Sequence, residues 1–156
     1  MTELRTERQP TTPTEMHPLF DTIAIPLASE EDAATTCRAL GPFLSPESAV
    51  VIIHVIEKTS GGIDPAPVEL RKDQASRIFD ECTRELSQDA GTIDTTVVFY
   101  TDIVEGILEA ASDNDADVIA FTPRSANRLL KLVSGDTAFK LIHRSDHPVL
   151  VIPPRE

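Results

Sequence analysis

Two rhythms of apolar residues alternate along the chain. Ala49-Val-Val-Ile-Ile-His-Val-Ile56 and Val118-Ile-Ala-Phe121 are apolar at nearly every position. Such runs suit strands buried on both faces of a parallel sheet. Between the runs, apolar residues recur at three- and four-residue steps, the mark of amphipathic helices. Leu19 to Leu27 predicts a first strand, ended by Pro26. Ser29-Glu-Glu-Asp32 predicts a helix start of the capping-box kind, and Gly41-Pro42 stops that helix near Leu40. After the 49–56 strand, Lys58 to Pro67 reads as a loop. A long helix is then predicted from about Val68 to Ala90, with Ala75, Ile78, Phe79, Cys82 and Leu86 on its buried stripe and Gly91 beyond its end. Ile93 to Tyr100 is a third strand, and Asp102 with Glu105 opens a third helix that turns Ile103, Ile107, Leu108 and Ala111 inward. Asp113 to Asp117 turns into the strand 118–121. A helix from Asp136 to about Arg144 is expected to bury Ala138, Leu141 and Ile142, and Val149 to Ile152 closes the series as a last strand.

The order β-α-β-α-β-α-β-α-β means an α/β fold, a parallel sheet with helices on both faces. Residues 1–17 carry little to bury and read as a flexible tail, leaving 18–156 as one domain.

Charge narrows the partners. The net charge is -12 over 156 residues, which disfavours nucleic acid and anionic membrane surfaces. No apolar run approaches a membrane span, and the polar N-terminus resembles no targeting segment, so a cytoplasmic address is expected. Arg outnumbers Lys by 10 to 4. Acid excess with little Lys suits a high-salt cytoplasm, where surface charge keeps proteins soluble. Cys37 and Cys82 fall on apolar helical stripes without CxxC spacing, and the expectation is two buried free thiols.

One stretch breaks the acidic background. From Pro123 to Gly135 there is no carboxylate, while Arg124, Arg128 and Lys131 are present. A basic loop between a strand and a helix N-terminus can hold an anion. The same spacing also suits the solvated face of a short helix, and Asp136 suits an N-cap. His54, inside the second strand, is expected to be a hydrogen-bonded interior histidine. His143 and His147 have metal-ligand spacing only if a helix continues through Pro148, so no metal site is expected. Ser29, Ser125 and Ser134 lack the context of a hydrolase nucleophile, and no catalytic residue is expected.

Several segments, taken in order, resemble the universal stress protein family over about Leu19 to Pro154. They are Ile-Ala-Ile-Pro26, Ile-Ile-His-Val55, Asp102-Ile-Val-Glu-Gly-Ile-Leu-Glu-Ala-Ala111, Ala-Asp-Val-Ile-Ala120 and His-Pro-Val-Leu-Val-Ile152. The acid-rich composition suggests a haloarchaeal-like member. The resemblance implies a five-stranded Rossmann-like sheet of the adenine nucleotide alpha hydrolase-like kind, ordered 3-2-1-4-5. It also implies homodimers paired through the last strand, Val149, Leu150, Val151 and Ile152.

Many members of that family bind ATP through a loop of the form glycine, two residues, glycine, nine residues, then glycine followed by Ser or Thr. This chain keeps Gly135 but has Thr122, Ser125 and Asp136 at the other positions. Ala28 stands where the family's first strand usually carries Asp. The resemblance thus implies a degenerate nucleotide cleft. Its candidate contacts are Pro26, Ala28, Val55, Thr122, Arg124, Ser125, Arg128, Gly135, Asp136 and Thr137. The expected function is a dimeric, non-catalytic stress-response or regulatory protein with no required cofactor, acting on a protein partner. The alternative is a switch that binds ATP, with Mg²⁺, or another nucleotide, using Arg124, Arg128 and Lys131 in place of glycines. A metabolic enzyme is a third reading, supported by fold analogy alone.

Overall fold

The structure is a computed structural model and describes residues 19–58, 67–123 and 137–155. Five strands, β1 (Thr22–Pro26), β2 (Ala49–Glu57), β3 (Thr92–Tyr100), β4 (Val118–Phe121) and β5 (Val149–Val151), alternate with four helices, α1 (Glu30–Leu40), α2 (Val68–Leu86), α3 (Ile103–Asp113) and α4 (Thr137–Arg144). The strands form one sheet in the order β3-β2-β1-β4-β5, and every neighbouring pair is parallel. Fold class and strand order agree with the expectation.

The sheet is central because its strands supply both cores. Alternate residues of a strand point to opposite faces. Ile23 and Ile25 therefore join Leu40, Ile52, Ile78 and Leu86 under α1 and α2. Ala24 joins Val51, Ile53, Val104, Ile107 and Leu141 under α3 and α4. Gly106 lets α3 lie close to the sheet: a Cβ there would stand 2.9 Å from Val55 Cγ1 and 3.1 Å from Tyr100 Cβ.

Helix starts follow the sequence closely. Ser29 Oγ accepts from Asp32 N at 3.1 Å, and Asp32 Oδ2 accepts in turn from Ala28 N at 3.2 Å. Asp102 Oδ1 accepts from Val104 N at 2.8 Å and Glu105 N at 3.1 Å. Each cap satisfies amide groups that have no partner within the helix.

Strand ends differ where pairing decides them. β1 begins at Thr22, not Leu19, because its partners begin there: Thr22 sits beside Ala49 and Ile23 beside Val118. Leu19 is left 87% exposed. Asp117 Oδ2 then accepts from the amides of Asp21 and Thr22, at 3.0 and 2.8 Å. α2 ends at Leu86, its last buried residue, and the chain turns before Gly91. On α3, Val104 and Ala110 are buried alongside Ile107 and Ala111, while Ile103 and Leu108 are only partly covered. On α4, Leu141 is buried but Ile142 is 43% exposed, since the eight-residue helix touches the sheet along one narrow stripe. The turn after α3 places Asp115 at φ 52°, a left-handed conformation that short polar side chains tolerate.

The cysteine expectation is corrected. Cys37 and Cys82 are not free thiols but a disulfide, Sγ–Sγ 2.07 Å and Cα–Cα 5.7 Å, across 45 residues of sequence. Each cysteine does face inward from its helix, as the apolar stripes predict. α1 and α2 pack side by side on one sheet face, and that long-range contact brings the two stripes together.

The flexible reading of residues 1–17 concerns a segment outside the described residues. So does most of the basic stretch.

Candidate functional site

The sheet changes sides at its centre. β1 leads into α1 on one face, whereas β4 precedes α4 on the other. Beyond the carboxyl ends of β1 and β4 the two connections diverge, and open sheets of this kind leave a crevice at that point. Here the crevice is a cavity of about 340 Å³, lined by Pro26, Leu27, Ala28, Asp32, Thr36, Ile53, Val55, Ile103, Ile107, Phe121, Thr122, Pro123, Thr137, Ala138 and Leu141. Ligand pockets typically run from about 300 to 1,000 Å³ and are mostly apolar with a few placed polar groups.

Local chemistry shapes each wall. Leu27 is tied by its amide to Ile53 O at 2.9 Å. Its carbonyl takes a 2.8 Å bond from His54 Nδ1. A carbonyl can only accept, so Nδ1 carries the proton. His54 is thus the interior, hydrogen-bonded residue expected, and it steadies the backbone at the cavity mouth. Asp32, bound to Ala28 N, is the cavity's one ionisable lining side chain among the described residues. Thr122 directly follows β4, is only 9% exposed, and its Oγ1 has no hydrogen-bond partner among the described residues. A buried hydroxyl without a partner costs about 1–3 kcal/mol.

A clamp on the solvent side joins the two helices that line the cavity from the second face. Arg144, at the end of α4, donates from Nη1 to Asp102 Oδ2 at 3.1 Å and from Nη2 to Glu105 Oε1 at 3.2 Å. Asp102 and Glu105 stand at the start of α3. The amide of Glu105, and then the Arg144 guanidinium, hold the Asp102 carboxyl below its ordinary value of 3.8. A depressed carboxyl stabilises the fold at pH values above its unfolded pKa, and that contribution fades as pH falls through the folded pKa. Arg144→Ala is therefore expected to move the Asp102 titration upward, read from its carboxyl carbon chemical shift. It should also destabilise the protein near neutral pH by under about 1 kcal/mol, because the pair is exposed. That loss should vanish in acid.

Of the residues named from sequence, Pro26, Ala28, Val55, Thr122 and Thr137 line the cavity together. Arg124, Ser125, Arg128, Lys131, Gly135 and Asp136 lie outside the described residues. Sequence reasoning missed Asp32 and Thr36, which come from α1. Asp32 was legible only as a capping residue, and nothing in its local pattern marks it as lining a cavity. Ile103 and Ile107 were read as core and line the cavity as well. No helix among the described residues is long and apolar enough to cross a membrane. Among those residues no group of three or more His, Cys, Asp or Glu side chains is placed to hold a metal ion.

Comparison with known proteins agrees with this architecture. A curated relative, the stress response protein NhaX of Bacillus subtilis (strain 168), is 34% identical over 106 residues, or 60% of this chain. The match spans 62% of that protein's own length. Among solved structures, a universal stress protein in complex with cAMP superposes with a TM-score of 0.59 at 13% identity, covering 87% of this chain and 98% of that one. A universal stress protein from Archaeoglobus fulgidus in complex with dAMP gives a TM-score of 0.61 at 16% identity, covering 84% and 96%. These likenesses show a shared fold. Residues 19–153 match the model of the universal stress protein family, and the chain belongs to that family.

Proposed function

We propose that the protein is a non-catalytic, homodimeric stress-response regulator whose cleft takes the base and ribose of an adenine nucleotide. Thr122 carries the reading. An unpartnered, buried hydroxyl just past the carboxyl end of β4, on a residue that lines a mostly apolar cavity of about 340 Å³, suits a ligand that is mostly flat and apolar with hydrogen-bonding edges. Solved relatives in complex with cAMP and dAMP support that ligand class. The departures at Thr122, Ser125 and Asp136 from the ATP-loop pattern favour a nucleotide with a short phosphate over a triphosphate, since glycines at 122 and 125 no longer open the backbone to a long chain of phosphates. The non-catalytic part rests on a lining whose one described ionisable side chain, Asp32, already accepts from the Ala28 amide.

The test is thermal melting with AMP, cAMP and Mg-ATP. A ligand at 100 times its Kd stabilises by about 2.7 kcal/mol, or roughly 5–10 °C for a chain of this size. AMP or cAMP is expected to raise the Tm, and Mg-ATP to raise it less. No shift with any of the three at millimolar concentration sinks the nucleotide reading. Thr122→Val is expected to leave the unliganded protein as stable, or about 1 kcal/mol more stable, because it removes a hydroxyl with nothing to bond. The same variant should lose much of the ligand-induced shift. A variant that melts early and still responds fully to AMP would show instead that Thr122 only supports the fold.

The dimer is proposed through β5. Among the described residues this strand pairs with β4 alone, and Leu150 and Val151 are 37% and 38% exposed. An apolar strand at a sheet edge invites a second strand, and pairing two copies removes the liability. Val151→Lys should halve the mass measured by light scattering; an unchanged dimer places the interface elsewhere. The cytoplasmic address is also a proposal, and so is a high-salt habitat, which the net charge of -12 supports. Greater stability in molar KCl than in dilute buffer is the expected result.

A further inference from the structure

The cleft wall formed by α1 is held from behind by a covalent bond whose cysteines, Cys37 and Cys82, do not line the cavity. α1 supplies Asp32 and Thr36 to the cavity. The next residue, Cys37, is bonded to Cys82 of α2. One helical turn therefore carries a cavity residue and the disulfide. The helix has little else to seat it. Its buried residues are Ala33, Thr36, Cys37, Ala39 and Leu40, so Leu40 is its one large buried side chain. Small side chains bury little apolar area, and each contributes correspondingly little to packing. Beside the apolar cluster that Leu40 shares with Ile78 and Leu86, the two helices are joined by an exposed ion pair, Arg38 to Glu85 at 3.3 Å, of the kind worth little in water.

We propose that the Cys37–Cys82 disulfide is a redox-controlled brace of the cleft. Oxidised, it fixes α1 against α2 and keeps Asp32 and Thr36 in place to form the cavity wall. Reduced, it frees α1 to open locally, and the cavity loses that wall. The chemistry is thiol–disulfide exchange. A dithiol attacks one sulfur, forms a mixed disulfide, and then closes to its own cyclic disulfide. Two electrons and two protons pass to the protein, leaving Cys37 and Cys82 as thiols. Both sulfur-bearing residues are fully buried, so attack requires α1 to move first. Anything that holds α1 from the cavity side should slow reduction. By linkage, reduction should weaken binding of that same ligand. A thiol-reducing compartment would then favour the open form and an oxidising one the braced form.

The ligand half of this inference rests on the nucleotide reading above; the brace itself does not. Hydrogen exchange of the full chain, oxidised and after complete reduction by dithiothreitol, separates the two. Complete reduction is verified by the mass gained. Amides of α1 are expected to exchange roughly tenfold or more faster once reduced, while α3, which lines the same cavity from the opposite sheet face, keeps its rate. Unchanged exchange in α1 overturns the proposal. Equal loosening of α1 and α3 also overturns it, because the bond would then support the whole fold and not one wall.

AMP is the probe for coupling. It should slow the reduction rate and bind the reduced form at least about fivefold more weakly. Equal affinity for both redox forms overturns the coupling. If AMP binds neither form, and cAMP and Mg-ATP also fail, the nucleotide reading is overturned, and the exchange comparison still decides the brace. The Cys37→Ala, Cys82→Ala double variant, insensitive to dithiothreitol, should reproduce the fast α1 exchange of the reduced chain; slow exchange in that variant counts against the brace.

Discussion

Replacing Gly91 by alanine is expected to destabilise the protein by about 3 kcal/mol or more, lowering its Tm by roughly 6–12 °C. A Cβ at that position would stand 1.9 Å from the Pro46 carbonyl oxygen and 2.9 Å from its carbon. Both are backbone atoms, so no side chain can swing aside to make room. The segment is also tied from the other direction. Gly91 N and Thr92 N both donate to Ser48 O, at 2.9 and 3.3 Å, and these bonds start the pairing of β3 with β2 at Ala49 and Thr92. Relieving the clash must lengthen or break them. Thermal melting of Gly91→Ala checks this, and a loss below about 1 kcal/mol would mean that the Pro46–Ser48 turn is free to give way. By contrast, a Cβ at Gly41 would meet the Asp89 carboxylate at 2.7 Å, the movable end of a side chain. Gly41→Ala should therefore cost distinctly less.

Loss of the Cys37–Cys82 bond is expected to cost about 2–4 kcal/mol, and to lower the urea midpoint accordingly, because the unfolded chain regains the freedom of the loop between them. The bond spans 45 residues, and the entropy of closing a loop grows slowly with its length. Replacement by serine should cost more than replacement by alanine. Both positions are fully buried, and a serine hydroxyl there would need a partner. Comparing the Cys37→Ala, Cys82→Ala pair with the reduced wild type separates the cross-link from the volume of the sulfurs. An oxidised protein no more stable than the reduced one would mean that apolar packing alone holds α1 to α2.

The cavity wall contributed by α3 and α4 has its own fastening, the Arg144 bonds to Asp102 and Glu105. The α1 wall has the disulfide. The two are different in kind. An exposed ion pair weakens with salt and with acid, whereas the covalent bond answers only to thiol chemistry. In a chain with a net charge of -12, added salt also screens repulsion among the acids. Its net effect on stability should be favourable even as it loosens Arg144.

What the amino-acid order determined by itself was everything set by local periodicity and short-range hydrogen bonding. The apolar runs of β2 and β4, the stripe on α2 and the caps at Ser29 and Asp102 needed only neighbours within a turn or two, and each was readable. The interior role of His54 followed from its place in an apolar run. Ordered motifs extended this to the strand order and the family. Tertiary structure decided what depends on residues far apart in sequence. Pairing trimmed β1 to Thr22, because β2 and β4 start where they do. Packing of α1 on α2 turned two apparently separate buried thiols into one bond. The divergence of chains at the sheet centre brought Asp32, Thr36, Ile107 and Thr122 to one cavity, though no local pattern joins them. Periodicity reports which face of an element is buried; only the assembled sheet reports which faces meet.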